Sequence, residues 1–388
     1  MSVVERTTGL GSEIRKAIAQ LCSTLPADYW RTLDAQQAYP EAFVDSLARD
    51  GWLGILIPTE YGGGGLGIRE ASIVLEEVNH QGGNAAACHA QMYVMAAILR
   101  HGTSEQKSRY LPEIASGRLR LQAFAVTEPD AGSDTTAIST KAVPVDGGYR
   151  LSGRKIFTSR VQHSDLMLVL ARTGEREQQR RTTGLTLFLI DLRSPGDGAI
   201  KVRPIQTMIN HETNEVLFED LFLPRPSVVG EVGRGFHHLL DGLNAERILI
   251  AAECIGDSRW FIERSVKYAC ERVVFDRPIG RNQGVQYPIA QAYVSTEAAD
   301  MMRYHAAELF DGGRPCGAES NMAKLLASQA SWSAANVAMD VHGGYGMTTE
   351  YDVERKFREN RLYQVAPVTN NLVLSYVAEH VLNLPRSV

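Results

Sequence analysis

The hydrophobic repeat of this chain changes period twice, and that change limits the folds open to it. Over residues 12–116 apolar side chains recur every three or four positions, as on one face of a helix. The runs EAFVDSLA at 41–48 and EASIVLEEV at 70–78 are the plainest cases. Pro58 and the glycines at 62–65 break the pattern between them. Over 121–224 the period becomes two. Residues 149–153, 166–170 and 185–190 read as strands, punctuated by Gly147-Gly148 and Ser194-Pro195-Gly196. The charged stretch 174–181 reads as a solvated loop. From Gly235 the helical period returns. Residues 235–271 and 319–342 form long amphipathic stretches, the second stopping at Gly343-Gly344. Helices, a β block and helices again predict an α+β architecture rather than a doubly wound parallel sheet. No G-x-G-x-x-G follows a first strand, which speaks against a Rossmann nucleotide site. The expected division is a helical domain at 1–120, a β domain at 121–228 and a second helical domain at 229–388.

With 388 residues and 44 % hydrophobic side chains, the chain is long and apolar enough for a large core. Its net charge of −5 offers no basic field for nucleic acid. A phosphate-bearing ligand would have to be met locally by Arg and Lys. The 5 cysteines are odd in number and form no C-x-x-C pair. That pattern argues against a disulfide framework or a zinc site and for a reducing compartment. Each cysteine is expected to be a small buried hydrophobe, and no metal is expected. The N-terminal ten residues show no secretory signal, and no run of 18 apolar residues predicts a membrane span. The expected location is cytoplasmic.

The segment AVTEPDAGSD at 125–134 reads as a strand end running into a tight acidic loop. Gly132 is expected to supply a positive φ or a close backbone approach. Thr127 and Ser133 are expected to satisfy backbone N–H donors. Such a loop can bind a polar ring edge or a phosphate-bearing ligand. Further segments follow in order: GRKIFTS at 153–159, LNAERI at 243–248, ERVVFDRPIG at 271–280 with Gln286, HGGYGM at 342–347, and QVAPVT at 364–369.

From about Trp52 to Pro385 these segments resemble the acyl-CoA dehydrogenase family. The resemblance implies an N-terminal α domain, a middle β domain and a C-terminal four-helix bundle that bind FAD, mostly as homotetramers. It assigns flavin contacts to Val126, Thr127, Gly132, Ser133, Phe157, Ser159, Thr369 and Asn371. Arg272, Phe275 and Gln286 would reach the cofactor of a neighbouring subunit. Gly343 and Gly344 would let the backbone approach the dinucleotide diphosphate. Phe157 stands where the family has Trp, Ser159 where it has Thr, Asp276 where it has Gly and Asp340 where it has Gln. Glu354 and Arg355 read as structural ion-pair residues, and His342 as a packed or capping histidine.

The reaction implied is α,β-dehydrogenation of an acyl-CoA to the trans-2-enoyl-CoA. Most members carry the base in a loop reading I-Y-E-G-T, but Pro367 holds the Glu position here. A minority, similar to isovaleryl-CoA and long-chain acyl-CoA dehydrogenases, place it in L-x-x-E-R. Residues 243–247 match that pattern, with Glu246 as the base near a helix start, facing a dry pocket. Asn244, Arg247 and Ser133 are the matching substrate-binding residues. In the family the backbone N–H of the loop Glu, with a ribityl hydroxyl of FAD, holds the thioester carbonyl. Proline has no N–H, so either the loop shifts and Val368 donates or another group serves. The acyl pocket is expected near Met92 and Met95. An acyl carrier protein thioester is an alternative substrate, and electron-transferring flavoprotein is the acceptor the resemblance implies. Desulfination of an acyl-CoA, flavin monooxygenation and a non-catalytic scaffold are the competing readings.

Overall fold

The computed structural model describes residues 9–176, 180–193 and 198–386. The Ser194-Pro195-Gly196 turn, and parts of the readings at 1–10 and 174–181, lie outside the described residues. Helices run over Gly9–Ser23 (α1), Tyr29–Gln36 (α2), Glu41–Arg49 (α3), Ile68–His80 (α4), His89–His101 (α5), Ser104–Ala115 (α6), Gly235–Glu271 (α7), Gln283–Asp311 (α8), Gly317–His342 (α9), Val353–Arg361 (α10) and Asn370–Tyr376 (α11). Strands occupy Ala123–Ala125 (β1), Lys141–Val145 (β2), Gly148–Ser159 (β3), Leu166–Arg172 (β4), Leu185–Asp191 (β5), Ile200–Pro204 (β6), Thr213–Pro224 (β7), Val228–Val229 (β8), Val273–Val274 (β9) and Arg277–Pro278 (β10). Each stretch read from its period as helix or strand falls inside an element of that kind, and the architecture is α+β.

The chain packs as two compact units. One joins Gln37–Leu66 to Ala86–Leu243, and the other joins Met1–Gln36, Gly67–Ala85 and Asn244–Val388.

The first unit is built on a sheet of order β6-β7-β3-β2-β4-β5-β8, with β1 parallel to β4. β4 and β5 are apolar on both faces because both faces are covered. Leu166, Leu168, Leu170, Leu185, Leu187 and Leu189 share a core with Val94 and Ile98 of α5 and Leu111 and Ile114 of α6. The alternate residues Met167, Val169, Phe188 and Ile190 join Val216 and Phe218 of β7 on the other side. Each buried leucine contributes about 1.5–3 kcal/mol. β1 sits against this packed strand at Ala123↔Met167, so the acidic loop that follows it leaves from a rigid base. β3 pairs with β7 through two register shifts, the second between Lys155 and Thr158.

In the second unit α1 packs on α4, α4 on α8, and α8 and α10 on α9. Trp260 and Phe261 of α7 meet Ala292, Ala334, Ala335 and Ala338, small residues that let helix backbones approach. Glu76 of α4 lies among Arg15, Arg259 and Arg303, and Arg259 and Arg303 also bond Asp300. Charges this deep persist because each has a partner. All five cysteines are free thiols. Cys88, Cys254 and Cys316 are buried as expected, whereas Cys22 is half-buried and Cys270, at the end of α7, is exposed. Among the described residues no helix is long and apolar enough to cross a membrane, and no cluster of His, Cys, Asp or Glu could hold a metal ion.

Candidate functional site

In the first unit the loop after β1 closes on itself. Glu128 and Ala131 exchange N–H···O bonds of 3.1 Å each, with Pro129 and Asp130 at the tip. The buried Glu128 carboxylate accepts from Lys155 Nζ at 2.9 Å, from the Thr140 N–H at 2.9 Å, and from the Ser139 N–H and hydroxyl at 2.6 and 2.8 Å. Lys155 also donates to the Val126 carbonyl at 2.8 Å, and the Ile156 N–H to the Thr127 carbonyl at 2.9 Å. Burial pushes the Glu128 carboxyl up, but Lys155 and these donors outweigh it and hold it at about 2. Glu128 is thus an internal fastening of the loop. It sets Val126 and Thr127 beside the strand carrying Phe157 and Ser159.

Phe157 sits in the register shift with φ +58° and is 61 % exposed. A bulky residue held there costs about 1–3 kcal/mol, a strain that concentrates at functional sites. Gly132 departs from the first of its two expected roles. Its φ is not positive, and a Cβ there would meet no chain atom within 4 Å. The turn between Glu128 and Ala131 already reverses the chain, so Gly132 has no backbone task. The Thr127 and Ser133 hydroxyls also depart from their expected role, since they bond nothing among the described residues. Hydroxyls open for bonding at Thr127 and Ser133, with side-chain space at Gly132, suit a ring edge or phosphate.

In the second unit β9 and β10 form a two-residue hairpin. Its tip residues Phe275 and Asp276 have φ +51° and +60°, a type I′ turn. Asp tolerates this left-handed conformation, which accounts for Asp276 in a position that suits Gly. Phe275 is 93 % exposed. Gln286 donates to the Gly280 carbonyl at 2.7 Å and so ties the hairpin exit to the first turn of α8. Arg272 lies 5.9 Å from the centre of the Tyr345 ring. Arg272, Asp340, Gly343 and Gly344 line one pocket of about 440 Å³, bringing together two segments seventy residues apart in sequence. Gly343 has φ +56°, and a Cβ on Gly343 or Gly344 would meet no chain atom within 4 Å. A guanidinium beside open glycine backbone fits a diphosphate. His342 donates Nδ1 to the Ala338 carbonyl at 2.8 Å and stacks on Tyr268 at 4.3 Å, with burial lowering its pKa. It is a packed histidine. Arg355 bonds Asp352 and Glu359, and Glu354 bonds Arg358, so both residues belong to ion pairs.

Glu246 is buried about three turns into α7, not near its start. The helix dipole, which fades within the first turn, therefore does not account for it. Ala245, Ile248, Leu249 and Ile250 around it are buried as well. Arg247 donates to Asn244 Oδ1 at 3.1 Å, while its Nε is buried with no acceptor among the described residues. Burial lowers the Arg247 pKa, and the Glu246 charge opposes that shift. The loop before α11 contains a cis Ala366–Pro367 peptide. Thr369 caps α11, its hydroxyl accepting from the Leu372 N–H at 3.3 Å, and Asn371 is exposed in the first turn. Lys324 was not singled out in the sequence. It is fully buried in α9 and donates to the Val368 carbonyl at 2.7 Å and Asn370 Oδ1 at 2.8 Å. An internal lysine with helical neighbours gives no sign of this role. Met92 and Met95 are fully buried in the first unit.

Family models described as acyl-CoA dehydrogenase N-terminal, middle and C-terminal domains match residues 11–118, 123–221 and 233–382. The chain is similar to "Acyl-CoA dehydrogenase fadE12" of Mycobacterium bovis, 35 % identical over 385 residues and 96 % of each chain. A solved glutaryl-coenzyme A dehydrogenase in complex with glutaryl-CoA superposes with TM-score 0.91 at 29 % identity, covering 98 % of this chain and 97 % of that one. The FAD complex of PigA gives TM-score 0.89 at 26 % identity, covering 97 % and 98 %.

Proposed function

The chain belongs to the acyl-CoA dehydrogenase family of oxidoreductases, and on that premise we propose that it oxidises an acyl-CoA thioester to the trans-2-enoyl-CoA with Glu246 as base. FAD, when bound, would supply the acceptor for the β-hydrogen, which leaves with its electron pair as hydride. Val126, Thr127, Ser133, Phe157 and Ser159 would hold the flavin end. Arg272, Phe275, Gln286, Gly343 and Gly344 would hold the nucleotide end, and Thr369 and Asn371 would flank the flavin. Glu246 takes the α-proton, its carboxylate gaining an O–H bond as the Cα–H bond breaks. Asn244 and Arg247 orient the acyl thioester, with Ser133 as a further substrate contact. The observation that carries the reading is a buried acid in the L-x-x-E-R segment of α7, paired with Pro367 in the loop that has lost its acid.

Purified protein is expected to be yellow, and a matching acyl-CoA to bleach it anaerobically. Glu246→Gln should keep FAD and lose bleaching, because the base is gone. Turnover in that variant within tenfold of the parent would remove Glu246 from the mechanism. Oxygen uptake with hydroxylated product, or sulfite release without flavin reduction, would replace dehydrogenation by a sister reaction.

The exposed hairpin tip at Phe275 supports a cofactor site completed by a second subunit. Tyr287, Val294 and Met301, seven residues apart on α8 and each exposed, offer a continuous apolar line for assembly. A homotetramer, a cytoplasmic location and electron-transferring flavoprotein as acceptor complete the proposal, with an acyl carrier protein thioester as the alternative substrate. Met301→Glu should lower the mass measured by light scattering to that of a smaller assembly and weaken FAD retention. An unchanged mass would place the interface elsewhere.

A further inference from the structure

We propose that the Val368 backbone N–H holds the thioester carbonyl of the substrate, and that Lys324 is the positioning residue that presents it. This rests on the dehydrogenase reading above. Pro367 offers no N–H, and the next amide along the chain is that of Val368. Val368 is half-buried, and its N–H has no acceptor among the described residues. A partly buried donor left open next to a lost one is what an oxyanion site requires.

The carbonyl of the same residue is held by Lys324. The ammonium is buried at 0 % exposure and divides its bonds between the Val368 carbonyl at 2.7 Å and Asn370 Oδ1 at 2.8 Å. Asn370 Oδ1 also accepts from Ser328 Oγ at 3.2 Å, and Asn370 Nδ2 donates to Gln364 Oε1 at 3.0 Å. Gln364 returns to α9 through the Ser328 carbonyl at 2.7 Å. Segment 364–370 is therefore fastened to α9 on both sides of Val368. Pinning the carbonyl of Val368 fixes its ψ, and Thr369, committed as the cap of α11, fixes the next peptide. A buried ammonium needs oxygen partners to offset its desolvation. Here those partners are the loop itself, so the charge orders the segment that faces the thioester.

The test uses FAD-loaded enzyme with 3-thiabutyryl-CoA and 3-thiaoctanoyl-CoA. These analogues can lose the α-proton but not the β-hydrogen, and their bound anion gives a long-wavelength charge-transfer band. Val368→Pro should raise the pH midpoint of that ionisation by about 2–3 units, matching the ~10²–10³ effect of one oxyanion donor. Lys324→Met should raise it by about one unit or more, speed amide exchange over residues 365–372 at least tenfold, and keep its FAD. An unchanged midpoint in Val368→Pro overturns the donor, and an unchanged midpoint in FAD-loaded Lys324→Met overturns the positioning role. Should Lys324→Met fail to fold, Asn370→Ala, which keeps the lysine, should give a smaller rise with faster exchange. No change in either overturns the clamp. If the parent enzyme ionises neither analogue at any pH, the dehydrogenase reading falls and this proposal with it. If Glu246→Gln ionises them as well as the parent, only the base assignment falls.

Discussion

The Glu128 carboxylate makes four hydrogen bonds, all to groups at least eleven residues away in sequence. Removing its charge leaves Lys155 buried and unpaired, so Glu128→Gln should cost about 3–5 kcal/mol in urea unfolding. Replacing both residues by apolar ones should cost less than either single change. The carboxyl is lowered from 4.5 to about 2, so its stabilisation is full above pH 4.5 and is lost as pH falls through about 2. Glu128→Gln should flatten this acid limb, and an unaltered limb would assign it to other carboxylates. At this scale the sequence was only partly legible. The ten-residue signature read as an acidic loop after a strand, but nothing in it showed that Glu128 fastens the loop from within. Gly132 was expected to supply a positive φ or a close backbone approach, and the positive φ is not there, since the Glu128–Ala131 turn already bends the chain. Lys324 left no trace, because nothing local distinguishes a lysine whose partners are the carbonyl and amide oxygens of a loop forty residues on.

The elements themselves were largely legible, because period follows from which face is buried. Their ends depend on partners that sequence hides. The N-cap of α4 is Gly67, which has no side chain to cap it. Instead Asp311, at the end of α8, accepts from the Ile68 and Arg69 N–H groups at 2.7 and 3.0 Å. A Cβ at Gly67 would lie 2.5 Å from that carboxylate, so the glycine makes room for a cap from elsewhere in the chain. Asp311→Ala should cost about 0.5–2 kcal/mol by chemical denaturation, as other lost N-caps do. Gly67→Ala should cost at least as much, and a neutral effect would show that the two ends are not coupled. Glu246 was expected in a dry pocket and is buried, but its place along the helix was misread. The start of α7 was in view, but burial about three turns inside it comes from tertiary packing.

At the scale of the whole molecule, Glu128 of the first unit acts on the acid limb of stability and His80 of the second on the alkaline limb. In the second unit burial disfavours the His80 charge, but Glu263 at 2.8 Å and Glu77 outweigh it and raise its pKa to about 9. That stabilisation is full below pH 6.5 and is lost as pH rises through about 9. Thermal melts should therefore lose the His80 contribution on the alkaline side and the Glu128 contribution on the acid side. His80→Gln should flatten the alkaline limb alone, and an unchanged limb would show that His80 does not set it. The order of elements was readable from the sequence, but their division into two units was not, because the second unit draws on three separated stretches of chain. That division has a consequence for synthesis on the ribosome. α4 buries most of its length, and its Glu76 waits for Arg259 and Arg303. Some 220 residues must be translated between His80 and Arg303, roughly 10–45 s at about 5–20 residues per second. Throughout that interval α4 has only α1, with Arg15 on Glu76, to cover it, so a prematurely terminated product would be a chaperone client rather than a folded fragment.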